Sequence, residues 1–261
     1  MSGFLALLRV TWQTWLAQRS FFFLLAFGWM IPPLIYLFVW STAAREQPIG
    51  GLTRGEFVAY YLILIVVNQL TYAQTNWTVG DQIREGGLSG LLLRPMSPIF
   101  DTIATELAGK AVYLLFIVPV TFVLALMLRS TLDLTLTNAL AFGVALPLAW
   151  MLRFLWGYAI ALLAFWASRA DSLLALQDTL LFLLAGQVAP LALLPGWLAT
   201  IAVWLPFRYM LGFPVELLTG QLTSDEMFFG FVLQVGWLSV AAGLSWLGWQ
   251  RGLRHYSAIG G

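Results

Sequence analysis

The chain has 261 residues, of which 61% are hydrophobic and only 10% charged, with a net charge of +1. A water-soluble domain carries about 25% charged residues, so this composition cannot clothe a surface in water. The near-neutral balance gives no footprint for nucleic acid, and the absence of cysteine excludes a disulfide framework, a thiolate metal site and a cysteine nucleophile.

Met1 to Arg19 does not read as a cleavable leader, because the apolar run after it is too long and no small-residue cleavage site follows. Residues 1–20 predict an amphipathic helix instead. Phe4, Leu5, Leu8, Trp12, Trp15 and Leu16 share one arc, with Arg9, Gln13, Thr14 and Gln18 outside it. Such a helix lies in the membrane interface; a simple extension of the first span is the alternative. Residues 21–40 then carry no charge over the ~20 residues a helix needs to cross ~30 Å of hydrocarbon.

Further spans are read at 57–77, 111–128, 138–166, 172–194 and 227–249, which predicts an all-α membrane protein of six transmembrane helices in a single domain, 1–261. An even number puts both termini on one side. That side then holds Arg9, Arg19, Arg84, Arg94, Lys110, Arg169, Arg251 and Arg254, against Arg45, Arg54, Arg129 and Arg208 on the other. The positive-inside rule therefore predicts cytoplasmic termini and an outer 41–56 loop.

Within the second span, Asn68, Tyr72, Thr75 and Asn76 are expected on one face, with Gln69 and Gln74 flanking. Polar side chains in hydrocarbon are costly unless paired or wet. The stripe either lines a translocation path or bonds to a neighbouring helix. Arg153, midway along the fourth span, and Asp178, early in the fifth, leave a similar choice between a buried ion pair and a water- or substrate-facing arginine.

Two segments are irregular. Residues 78–110 form the longest inner connection, and Gly86-Gly87, Arg94-Pro95 and Ser97-Pro98 bracket a short apolar helix from Leu88 to Leu93. The stretch 179–207 is broken by Pro190, Pro195 and Pro206, and predicts an outer re-entrant element at 194–213 before the sixth span.

Chemistry is scarce. His255 is the only histidine, so no zinc motif or Ser–His dyad can be assembled within the membrane. Gly87-Leu88-Ser89-Gly90 stops one residue short of a nucleophile elbow. Lys110 is the only lysine, and no phosphate-cradling loop surrounds it. A chain that moves a solute uphill with ATP must borrow its ATPase from another chain. The rival readings are a secondary transporter and a non-transporting scaffold. The first should show paired repeats and midplane acids, yet Asp178 is the one acidic residue read clearly within a span.

Three stretches carry a resemblance: IREGGLSGLLLRPMSP (Ile83 to Pro98), LLPGWLATIAVWLPFRYMLGFPVELLTGQL (Leu193 to Leu222) and RGLRHYSAIGG (Arg251 to Gly261). They are similar to segments of the integral-membrane permease of bacterial ATP-binding-cassette exporters of the type-2 class, in its half-size drug-efflux-like subgroup. Gln250 stands where that pattern has a further arginine. The resemblance implies a multi-pass protein of the inner membrane, paired with a second copy or a related permease. It implies two cytoplasmic ATPase subunits that use ATP and Mg, with no cofactor bound by this chain, and export of hydrophobic or cationic drug-like compounds. Ile83, Arg84, Glu85, Gly86, Leu88, Leu92, Arg94, Pro95, Ser97 and Pro98 fall in the segment that carries the family's coupling helix. Ile83, Leu88 and Leu91–Leu93 would supply apolar contact to an ATPase, and Arg84, Glu85 and Arg94 a polar rim. Asn68, Tyr72, Thr75, Asn76 and Arg153 are the path candidates. Pro195, Trp197, Pro206, Phe207, Tyr209 and Pro214 are the outer-gate candidates.

Overall fold

The computed structural model describes residues 12–13, 19–74, 76–95, 97–167 and 170–256. Most of the predicted interfacial helix at 1–20, Thr75 and the end of the tail lie outside the described residues. Among those described there is no strand, only an isolated bridge between Ile49 and Leu52. The helices are α1 (Arg19–Ala43), α2 (Arg54–Thr71), α3 (Asn76–Arg84), α4 (Gly87–Leu92) and α5 (Pro98–Met127). They continue as α6 (Leu136–Ala161, extended by a 3-10 turn Leu162–Phe165), α7 (Ala170–Leu184), α8 (Gly196–Trp204), α9 (Pro206–Met210), α10 (Gly212–Leu218) and α11 (Ser224–His255).

The start signals are local. α2 and α11 each open on a capping box, in which Thr53 with Glu56 and Thr223 with Glu226 satisfy backbone N–H groups that have no helical partner. The Glu56 and Glu226 carboxylates accept from the Thr53 and Thr223 N–H groups at 2.7 and 2.8 Å. α5 starts with Pro98 in its first turn, where a missing N–H costs nothing.

α2 is the central helix. It packs against α1, α5, α6 and α10, and it buries Phe57, Tyr60, Tyr61 and Leu64 completely. α5 and α11 lie at the periphery and expose Phe122, Leu126, Phe228 and Trp246, as lipid-facing helices do. Among the described residues four stretches are long and apolar enough to cross a membrane: Arg54–Arg84, interrupted after Thr71, Pro98–Met127, Leu136–Phe165 and Ser224–His255, with Phe27–Ala43 a shorter apolar helix.

Two expected spans are not continuous. The second, read as 57–77, stops at Thr71: Tyr72 turns extended at φ −57°, ψ 136°, and a new helix begins at Asn76. The fifth, read as 172–194, ends at Leu184, because Gly186 takes a left-handed φ of +81° and Pro190 blocks continuation. At 15 residues α7 is about 22 Å long, short of the hydrocarbon core.

After α7 the chain folds into the short helices α8, α9 and α10. Breaking a helix frees carbonyl groups that hydrocarbon cannot satisfy. Buried side chains from distant helices answer this. The Tyr60 hydroxyl donates to the Gly186 carbonyl at 3.0 Å, while the Tyr61 hydroxyl and Trp40 Nε1 both donate to Val188. Gln234 Nε2, from α11, donates to the Tyr209 carbonyl at 3.0 Å and to that of Ala145 at 3.1 Å. Gly212 lets α10 lie directly on the end of α7, since a Cβ there would sit 2.8 Å from the Ala185 carbonyl oxygen.

Candidate functional site: the coupling end and the buried polar cavities

α3, α4, the 3-10 turn and the end of α11 gather at one end of the bundle. Gly86, at φ +81°, reverses the chain between α3 and α4. The predicted short apolar helix is present as α4, from Gly87 to Leu92. Its two faces differ. Leu88 and Ile83 are buried with Val79, Phe154, Tyr158 and Leu162 in a second apolar cluster, separate from the main core. Leu92 and Leu93 are exposed, Leu93 at 89%. Ile83 and Leu88, expected to face a partner, are buried and anchor α4 to its own chain, whereas Leu92 and Leu93 are left exposed.

The polar residues divide in the same way. Arg84 is held by Asp81 on its own helix and by Asp171 at the start of α7, the latter at 2.9 Å, so it joins two elements rather than forming a free rim. Arg94 is exposed and pairs with Asp101 at 2.8 Å, and Glu85, Pro95 and Ser97 are exposed beside it. Gly86 is half-buried and Pro98 buried. Ser89 shares a 2.9 Å hydrogen bond with the Tyr256 hydroxyl, which ties α4 to the end of α11.

Deeper in the bundle, Arg153 is buried. Its Nη1 donates to Asn68 Oδ1 at 2.9 Å and to Thr71 Oγ1 at 3.3 Å, and its guanidinium lies over the Tyr72 ring at 4.9 Å. Arg153 and Asp178 line the same cavity of about 160 Å³, together with Trp29, Asn68, Tyr72 and Phe182. No ion pair joins the two among the described residues; Asp178 instead accepts from Gln177 Nε2 at 3.3 Å. Asn68 and Tyr72 thus reach this cavity, but Asn76 does not share their face, because the helix ends between them. Asn76 is buried between α3 and α6, where its Nδ2 donates to the Phe154 carbonyl at 3.1 Å beside Gly157.

Tyr72 also borders a second cavity of about 150 Å³ with Gln69, Thr105, Glu106 and Lys110. Lys110 pairs with Glu106 at 3.2 Å and donates to the carbonyl of Tyr72. Lys110, read as an inner-loop charge, is therefore buried within α5. Arg208, read as an outer-loop charge, is buried too, with Nε and Nη2 both on Glu216 Oε2 at 3.0 and 2.7 Å. Each of the two expected sides thus has one basic residue fewer at its surface. Asp178 is also not alone among acidic groups inside the fold: Glu106 and Glu216 are both buried, each with its own cation. The i, i+4 spacing of Glu106 and Lys110 was a legible signal for the first pair; nothing in the sequence marks the second.

The outer candidates split as well. Pro206, Phe207, Tyr209 and Pro214 are buried in α9 and α10, whereas Pro195 and Trp197 at the start of α8 are exposed, Trp197 at 68%.

A bundle of long apolar helices, with charged groups buried in pairs and a short helix projecting at one end, defines a multi-pass, all-helical membrane protein. The model of the family described as ABC-2 family transporter protein matches residues 30–260, and the chain belongs to that family. It is accordingly a membrane component of an ATP-binding-cassette transporter, the permease rather than the ATPase. No curated protein matches the sequence.

Proposed function

We propose that the chain is the membrane-spanning permease of an ATP-driven exporter of the inner membrane, that a separate cytoplasmic ATPase seats on α4, and that the translocation path forms where this chain meets a second permease. Both termini are cytoplasmic in this reading, residues 194–213 re-enter the membrane from outside, and the solute is a hydrophobic or cationic drug-like compound.

The observation that carries the proposal is the two-faced α4. A six-residue helix would gain little stability alone. Here it is fixed from beneath by Leu88 and Ile83, while Leu92 and Leu93 project outward beside Arg94. Exposed leucines beyond the lipid-facing helices, rimmed by polar groups, mark an interaction surface. Arg84 carries any movement of this end to α7, and Tyr256 carries it to α11. In this reading Asn68, Tyr72 and Arg153 face the path, and Asn76 holds α3 to α6.

The test is purification from membranes in mild detergent, with ATPase activity and solute export measured on the same preparation. The native chain should bring down an ABC ATPase, and L92D/L93D should lose it while α4 stays anchored by Leu88. Retention of the ATPase and of export by that variant would overturn the role given to α4.

A further inference from the structure

One sizeable cavity lies at neither α4 nor the Arg153 site. It is an open groove of about 760 Å³ between the second half of α6 and the last turns of α11. Its walls are apolar, formed by Ile160 and Leu163 on one side and Leu244, Leu247 and Gly248 on the other. Beside the groove, Gly252 lets α11 lie against the 3-10 turn, because a side chain there would run into the Phe165 ring. One end of the groove is basic: Arg251, Arg254 and His255 line it, all exposed, beside Trp166.

We propose that this groove holds an anionic phospholipid, with its phosphate on Arg251 and Arg254 and an acyl chain along Leu163, Leu244 and Leu247. The charge pattern favours this occupant. Arg251 and Arg254 have no ion-pair partner among the described residues, and no acid lines the groove that could neutralise them. The depth fits as well. α11 has 32 residues and is about 48 Å long, so its last turns pass beyond ~30 Å of hydrocarbon into the headgroup layer. Trp166, 46% exposed beside them, is the residue type that settles at that level. A second copy of the chain is a poor occupant. Two copies in one membrane point the same way, so a self-complementary contact through this groove would set the two arginine pairs face to face.

The experiment uses the full chain in lipid nanodiscs doped with phosphatidylglycerol or phosphatidylcholine, each carrying a photoactivatable diazirine on its acyl chain. Labelled peptides are mapped by mass spectrometry. Phosphatidylglycerol should label the 160–166 and 244–248 segments more strongly than phosphatidylcholine, by about 5-fold for each arginine engaged. R251Q/R254Q should bring it down to the phosphatidylcholine level, and R251K/R254K should keep most of the difference. Excess inorganic phosphate should leave the labelling unchanged. Equal labelling by the two lipids on the native chain would overturn the proposal, whatever the variants do. So would loss of the label to free phosphate, which would mark a soluble-anion site. An intermolecular disulfide formed by L247C in this cysteine-free chain would overturn it too, by showing that a second copy covers the groove.

Discussion

Two of the expected spans are broken inside the bundle, after Thr71 and after Leu184, and the two breaks are treated differently. At the one on the side read as outer, after Leu184, the freed carbonyls of Gly186 and Val188 are met by neutral donors on rigid aromatic rings: the Tyr60 and Tyr61 hydroxyls and the Trp40 indole. At the one on the side read as inner, the Tyr72 carbonyl is met by the Lys110 ammonium, whose charge is balanced by Glu106. A neutral bond costs little to bury and is hard to switch. A buried ion pair is sensitive to the loss of either partner, and its surroundings include a cavity on each side of Tyr72. The outer break is built as fixed architecture, and the inner one as the place where a change of charge or position has the largest consequence.

The sharpest way to break this contrast is Lys110→Met, which leaves Glu106 buried without its cation. Removing one partner of a buried pair costs about 3–5 kcal/mol. E106Q/K110M should recover much of that loss, and thermal unfolding followed by size-exclusion chromatography in detergent would measure both. No recovery would mean that the pair is not the element that matters at the inner break.

Gly186→Ala should come next. The left-handed backbone and the Tyr60 hydroxyl both oppose a side chain there, and crowding of that kind costs about 1–3 kcal/mol. Tyr60→Phe strands a buried carbonyl and should cost about 1–3 kcal/mol. Tyr61→Phe should cost less than Tyr60→Phe, because Trp40 still serves Val188. If the two phenylalanine variants lose the same stability, the shared bond at Val188 is not protective. The smallest effect on stability belongs to Leu93→Asp, expected within about 0.5 kcal/mol because the residue is exposed. Its readout is retention of the ATPase, not the unfolding temperature.

The inner break explains where sequence reading stopped. The α4 turn was legible because glycine and proline punctuate it: Gly86-Gly87 before and Arg94-Pro95 after. The outer break was legible from Pro190, Pro195 and Pro206, although it begins earlier than those prolines require, at Gly186. The stretch from Asn68 to Trp77 contains neither residue, so nothing local signalled that the helix ends at Thr71. Its polar residues consequently read as one stripe, when Asn68 and Tyr72 belong to one cavity and Asn76 to a packing contact. Arg208 and Glu216 lie eight positions apart on different short helices, and only the folded hairpin brings them together. The burial of Leu88 follows from the same limit. A six-residue helix has too few positions for periodicity to tell the anchored side from the free one.

The hydrogen bond between Ser89 and Tyr256 joins residues 167 positions apart. α4 emerges from the ribosome long before the end of α11, so this contact can form only when almost the whole chain has been made. A partner that recognises the finished pose thereby distinguishes complete permeases from unfinished ones. If an ATPase seats on α4 as proposed, this contact puts part of its docking surface under the control of the last helix to be made.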